Sequence, residues 1–150
     1  MGITIRPAGL SDADELVTLC GQLGYTIEKS ALCHNLAMIG ENPHAAVFVA
    51  QVENGAVVGF IGVERRVMLE SPPRIEITGL VVDAALRRQR IASRLLDTAC
   101  GWGRRQGVAR VVLRSSSQRA EAHQFYLDYG FEITKQQLVF ALTQALEEPT

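Results

Sequence analysis

Residues Glu76-Ile77-Thr78-Gly79-Leu80-Val81-Val82-Asp83, followed by Arg87-Arg88-Gln89-Arg90-Ile91-Ala92-Ser93-Arg94-Leu95-Leu96, decide the fold. The first run has the length and apolar character of a buried strand. The second opens basic and then places Ile91, Leu95, Leu96 and Ala99 on one helical face. A helix N-terminus presents amide N–H groups that lack intrahelical partners, together with the positive end of the macrodipole. Arg87, Arg88, Arg90 and Arg94 are unfavourable beside that positive end unless an anion answers them. Phosphate binding therefore accounts for the cluster better than simple solvation of a surface helix does.

Outward from this unit, the chain alternates strand and helix signals. Ile3, Ile5 and Pro7 suggest a short first strand, and Ser11 with Asp14 resembles a capping box ahead of Leu16, Leu19, Cys20 and Leu23. Gly24 stops that helix, and a second runs from about Glu28 with Leu32, Leu36 and Ile39 inward, ending at Gly40 and Pro43. Val47–Ala50 and Val57–Val63 flank Asn54-Gly55, a hairpin signal in which both turn residues are expected at positive φ. Ile75–Val82, a helix from Ile91 to about Gly107, a strand at Val108–Leu113, a helix around Ala122, Phe125, Tyr126 and Tyr129 closed by Gly130, and a last strand within Phe131–Leu142 complete the order. The expected architecture is one α/β domain over residues 1–150. A mixed, mainly antiparallel sheet is flanked by helices and carries one parallel β-α-β crossover.

Composition limits the function classes. At 150 residues with 47% hydrophobic and 21% charged residues, the chain is long enough to bury a core. The formal net charge of −1 gives no support to a general nucleic-acid or membrane-surface role. Cys20, Cys33 and Cys100 form no CxxC pair and are expected to be buried thiols of a reducing compartment; no metal-ligand cluster involves His34, His44 or His123. Neither a signal peptide nor a membrane span is expected, so the default location is cytoplasmic. GxxxxGK with Ser or Thr is absent, as is GxGxxG, which excludes a P-loop and a Rossmann fingerprint.

Arg87-Arg88-Gln89-Arg90-Ile91-Ala92 resembles the acetyl-coenzyme A signature of the GNAT N-acetyltransferases, Q/R-x-x-G-x-G/A, with Arg90 where the first glycine normally stands. A second block, Arg119–Phe131, resembles the family's N-x-x-A-x-x-x-Y-x-x-x-G-F segment, with Arg119 in place of asparagine. The resemblance implies acetyl-coenzyme A as cosubstrate. Main-chain groups of Leu80, Val81 and Val82 would lie along the acetyl and pantetheine arm. The pyrophosphate would rest on the turn of Arg87, Arg88, Gln89, Arg90, Ile91, Ala92 and Ser93, with Arg119 contributing. It further implies Tyr126 as the acid that protonates the departing thiolate and Glu76 as the base that deprotonates the amine, directly or through water. From spacing alone, Tyr126 fits the apolar stripe of its helix better than a catalytic role, a balance that the resemblance reverses, and Glu76 equally fits a salt-bridged strand residue.

The implied activity is direct acetyl transfer to a primary amine of a small molecule or peptide, with no covalent enzyme intermediate, since no Cys–His nucleophile pair presents itself. The acceptor is expected against the first two helices, the Gly24-Tyr25 bend and the loop around Glu70–Arg74. A coenzyme A-binding sensor without turnover is the alternative. A nucleic-acid module using Arg104 and Arg105 ranks below both, because no aromatic residues interleave with the arginines. Relatives often associate through late strands, so a homodimer is compatible with the sequence.

Overall fold

The strand, turn and helix of residues 76–96 lie mid-chain in a computed structural model describing residues 2–87, 90–115 and 120–147. Two compact units divide the chain, Met1–Arg114 and Ser115–Thr150.

The first unit is built on a five-stranded sheet in the order β1-β2-β3-β4-β5, comprising Ile3–Pro7, Ala45–Val52, Val57–Met68, Ser71–Val82 and Val111–Leu113. Neighbours pair antiparallel except β4 and β5, which run parallel across the crossover helix α3, Ile91–Arg105. The expected mixed sheet with one parallel β-α-β unit is the architecture found. Helices α1, Ala13–Gln22, and α2, Lys29–Glu41, pack Ala13, Leu16, Leu19 and Leu32 against Val49, Val57 and Val81. On α3, Ile91, Leu95, Leu96 and Ala99 are all buried. Each of the three larger side chains contributes about 1.5–3 kcal/mol relative to exposure, which fixes the helix start at the end of β4.

Local details depart from the expectations in several places, the strand expected at Val108–Leu113 among them, since it forms only at Val111–Leu113. The cap before α1 is not Ser11 with Asp14: a short 3-10 turn over Leu10–Asp12 intervenes, and Gly9 N–H donates to Asp12 Oδ2 at 2.8 Å. Arg6 also grips the Asp12 carboxylate, at 2.9 and 2.8 Å, so a tertiary partner chose the capping residue. In the β2–β3 turn only Gly55 has positive φ, at 93°. Gly55 N–H donates to Val52 C=O, and Asn54 Oδ1 accepts from Ala56 N–H, so a three-residue loop with glycine last replaces the expected two-residue turn. The β3–β4 hairpin is longer than expected, reaching Met68 and starting again at Ser71. Pro72 and Pro73 are tolerated because β5 pairs with β4 only from Ile75 onward. Finally, the three cysteines are half-buried thiols outside any disulfide; burial pushes the Cys20 thiol pKa up.

The second unit contains helix α4, Ala120–Tyr129, which ends where Gly130 N–H and Phe131 N–H both donate to Tyr126 C=O. Phe125, Tyr126, Tyr129 and Phe131 form a ring cluster within it. The strand expected within Phe131–Leu142 does not form: residues 131–147 carry no strand, and Leu138, Val139, Phe140 and Leu142 are each more than four-fifths exposed. A strand exists only by pairing, and the apolar pattern of this segment finds no ladder among the described residues.

Candidate active site

Strand β4 is the axis of the site. Its pairing with β3 runs to Val82 opposite Gly59, whereas its pairing with β5 stops at Ile77 opposite Leu113. From Thr78 to Val82 the strand therefore has a neighbour on one side only. Main-chain donors and acceptors of the stretch holding Leu80, Val81 and Val82 face an open edge among the described residues. The register also slips at Thr78, since Gly62 pairs with Gly79 while Val63 pairs with Ile77. A Cβ on Gly62 would collide with Thr78 Oγ1, so a larger residue there would force the Thr78 side chain to turn away.

The open edge leads into the turn. Asp83 N–H donates to Val58 C=O at 2.8 Å, and Asp83 Oδ1 accepts from Ala85 N–H at 3.0 Å. Gln22 at the end of α1 accepts from Ala84 N–H at 2.9 Å, tying the turn to the first helix. Arg90 precedes α3 in the left-handed region, φ 62° and ψ 15°, the one non-glycine at positive φ among the described residues. The first α3 amide with a helical acceptor is that of Arg94, bonded to Arg90 C=O, so Ile91, Ala92 and Ser93 have amides with no helical acceptor. Arg87 and Arg90 are exposed, whereas Arg94 turns back and donates to Ile3 C=O at 2.6 Å. Arg94 thus braces β1 and is spent as a phosphate ligand. Arg88, Gln89 and Arg119 lie outside the described residues. An edge strand with spare main-chain groups, continuing into spare helix amides, matches an elongated ligand carrying amides and a diphosphate. The residues present fit acetyl-coenzyme A.

Glu76 lies two residues upstream of the open stretch and is buried, with 8% exposure. Its two oxygens face two guanidiniums, Arg66 Nη1 at 3.2 Å and Arg114 Nε at 3.3 Å. Arg66 Nε also lies 3.6 Å from Glu64. Glu64 sits opposite Glu76 and Arg66 opposite Arg74 in the β3–β4 register, so all four share one sheet face, the face that α1 and α2 cover further along. Arg74 joins no ion pair among the described residues, and its Nε is buried without a hydrogen-bond partner. Leaving such a donor unsatisfied costs about 1–3 kcal/mol. Arg65 Nε is likewise orphaned, on the opposite face. A groove of about 300 Å³, lined by Asn35, Met38, Ile39, Asn42, Ala45 and Glu64, borders the charged face. Glu76 was legible in the sequence but its arginines were not. The available signal was the mirror placement of Glu64 and Arg66 against Glu76 and Arg74 about Glu70.

Tyr126, on α4, is half-buried within the ring cluster of its own unit, edge-on to Phe125 and Phe131 at centroid distances of 5.6 and 6.0 Å. Packing fixes the ring, which is also what a positioned hydroxyl donor requires.

With this geometry in view, likeness to known proteins is informative. The sequence profile of the acetyltransferase (GNAT) family matches residues 13–131, and the chain belongs to that family. It is accordingly an acetyltransferase whose cosubstrate is acetyl-coenzyme A. Among curated relatives, an aminoalkylphosphonate N-acetyltransferase of Salmonella typhimurium is 32% identical over 144 residues, covering 95% of this chain and 90% of that protein. An uncharacterized N-acetyltransferase, YhdJ of Bacillus subtilis, is 38% identical over 85 residues, covering 56% of this chain and 60% of that one. Among solved structures, the aminoglycoside acetyltransferase AAC(6')-Iy with a coenzyme A bisubstrate analogue superposes with a TM-score of 0.85 at 20% identity, covering 96% of this chain and all of that one. The AAC(6')-Ih enzyme of Acinetobacter baumannii does so with a TM-score of 0.85 at 16% identity and the same coverage. These two share the fold. Among the described residues no helix is long and apolar enough to cross a membrane, and no cluster of three metal-binding side chains occurs.

Proposed function

We propose that the chain transfers an acetyl group from acetyl-coenzyme A directly to a primary amine of a small molecule, with both units acting as one transferase domain. The family match, which runs through both units, supports the single domain. The observation that carries the donor half is the open edge of β4 from Thr78 to Val82 running into the unbonded amides of α3. The 32% identical relative, named for aminoalkylphosphonates, supports a small-molecule amine over a protein.

Bound acetyl-coenzyme A supplies a thioester-activated acetyl carbon. Main-chain groups of Leu80, Val81 and Val82 hold its arm, and fixed backbone donors stabilise developing charge without reorganising. The amides of Arg90, Ile91, Ala92 and Ser93 receive the diphosphate, with Arg87, Arg88, Gln89 and Arg119 as further ligands. An alkylamine with a pKa near ~10 arrives protonated, so a base must take its proton before attack. We assign that role to Glu76, through a water, because both its oxygens already face arginines. Tyr126 gives its phenolic proton to the sulfur as the carbon–sulfur bond breaks.

The test is thiol release from acetyl-coenzyme A across a chemically diverse amine panel, with cofactor binding measured in parallel. Turnover of at least one amine, lost in Glu76→Gln and Tyr126→Phe, is the expected result. Tight cofactor binding with no thiol release for any amine would instead indicate a coenzyme A sensor.

A further inference from the structure

We infer that the acceptor amine carries an anionic group, a phosphonate, phosphate or carboxylate, which is bound by Arg74 and Arg66 on the charged face of β3 and β4. This rests on the acetyl-transfer reading above and names its acceptor class.

Arg66 and Arg74 stand directly opposite each other in an antiparallel ladder, an arrangement in which like charges repel. The face carries three guanidiniums, Arg66, Arg74 and Arg114, against two carboxylates, Glu64 and Glu76. Both carboxylates are taken up by Arg66 and Arg114. Among the described residues, Arg74 joins no ion pair and its buried Nε is unbonded. An oxyanion between Arg74 and Arg66 removes the repulsion and satisfies the orphaned donor, and guanidinium is the side chain best shaped for such oxyanions.

The spacing suits a bifunctional substrate. Arg74 lies four residues along β4 from the bulge at Thr78, about 13 Å at the strand rise. A short aliphatic amine held by its anion at Arg74, with the long arginine side chain covering part of that span, presents its nitrogen toward the open edge of β4. A polycationic acceptor meets the opposite situation, since its additional ammonium groups face Arg74 while Glu64 and Glu76 are already paired with arginines.

The experiment measures thiol release with 2-aminoethylphosphonate, β-alanine, propylamine and putrescine, using wild type, Arg74→Gln and Arg74→Lys. Wild type is expected to prefer at least one anionic amine over propylamine by about 10- to 100-fold in kcat/KM, the range of one or two charge-assisted hydrogen bonds. Comparing the first two substrates distinguishes phosphonate from carboxylate. Arg74→Gln is expected to erase the preference mainly by raising KM for the anionic amines, and Arg74→Lys to restore part of it. In parallel, ethylphosphonate should inhibit competitively against the amine and not against acetyl-coenzyme A. Equal or better turnover of propylamine or putrescine by wild type, or a preference untouched by Arg74→Gln, overturns the inference and leaves acetyl transfer standing. No turnover of any of the four, with no protection of Arg74 wild type by ethylphosphonate in thermal melts, overturns it as well. Release with other amines in the broad panel then separates that failure from failure of the acetyltransferase reading.

Discussion

Arg90 sits where the left-handed backbone favours glycine, and replacing it separates two energies that a single variant would confound. A residue with a Cβ at φ 62° carries roughly 1–2 kcal/mol of strain. Glycine removes that strain but gives the unfolded chain about 0.4–1 kcal/mol more entropy to lose. Arg90→Gly should therefore be more stable than Arg90→Ala by about 0.5–1 kcal/mol. Arg90→Ala keeps the strain and removes only the positive charge facing the helix N-terminus, a change of about 0.3–1 kcal/mol in favour of folding. For a chain of this length, the glycine–alanine difference corresponds to about 1–4 °C in melting temperature. Differential scanning calorimetry of the two variants beside wild type provides the measurement. An alanine variant as stable as the glycine variant, or more so, would show that the backbone at Arg90 is not left-handed in solution. In that case the approach of a diphosphate to this turn would need another explanation. Acetyl-coenzyme A affinity should fall no more than about fivefold in either variant, because an exposed charge is worth about 1 kcal/mol at most and the amides remain.

Four further outcomes follow from the same geometry. Ala92→Glu puts a carboxylate beside the proposed diphosphate and should weaken acetyl-coenzyme A binding by about tenfold or more in calorimetry, with an unchanged melting temperature; equal affinity would relocate the site. Tyr126→Phe should lower kcat by about 100-fold or more while leaving the cofactor dissociation constant within error. A Cβ on Gly103 lies 2.8 Å from Ile75 Cγ1 in the core, so Gly103→Val should cost about 1–3 kcal/mol in a urea titration. The Arg6 hydrogen bonds hold the Asp12 carboxyl below its ordinary pKa, against the opposing effect of burial. A depressed folded pKa means that this stabilisation is complete above the unfolded value near ~3.9 and is lost as pH falls through the lower folded value. The stability gap between wild type and Asp12→Asn, about 2 kcal/mol after allowing for partial exposure of Arg6, should hold from pH 7 to 5 and close in more acidic urea titrations.

Signals that are local in the chain were legible without coordinates. The apolar run Ile77–Val82 and the stripe of Ile91, Leu95, Leu96 and Ala99 each announce one element, and both elements form as expected. The hairpin at Asn54-Gly55 was placed correctly, yet its turn type was not. Composition constrains positive φ at Gly55, whereas Asn54 is free to take either sign. Long-range choices escaped the sequence: Arg6 selects Asp12 over Ser11 as the cap, and the segment at 131–142 has strand composition without a strand. In the site, the family resemblance singled out Glu76, just upstream of the strand residues implied to hold the acetyl group. The arginines around it depend on register across two ladders, which no single stretch encodes.

The early end of β5 has a consequence for how such a protein can change. A ligand grasped through peptide groups is indifferent to the side chains attached to them, so drift at Leu80 or Val82 leaves that grip intact. The charged face proposed for the acceptor, written in side chains such as Arg74, can be rewritten one residue at a time. On the proposed reading, the half of the site that holds the donor tolerates side-chain change by construction, and the half proposed for the acceptor is where a single substitution would alter the choice of amine.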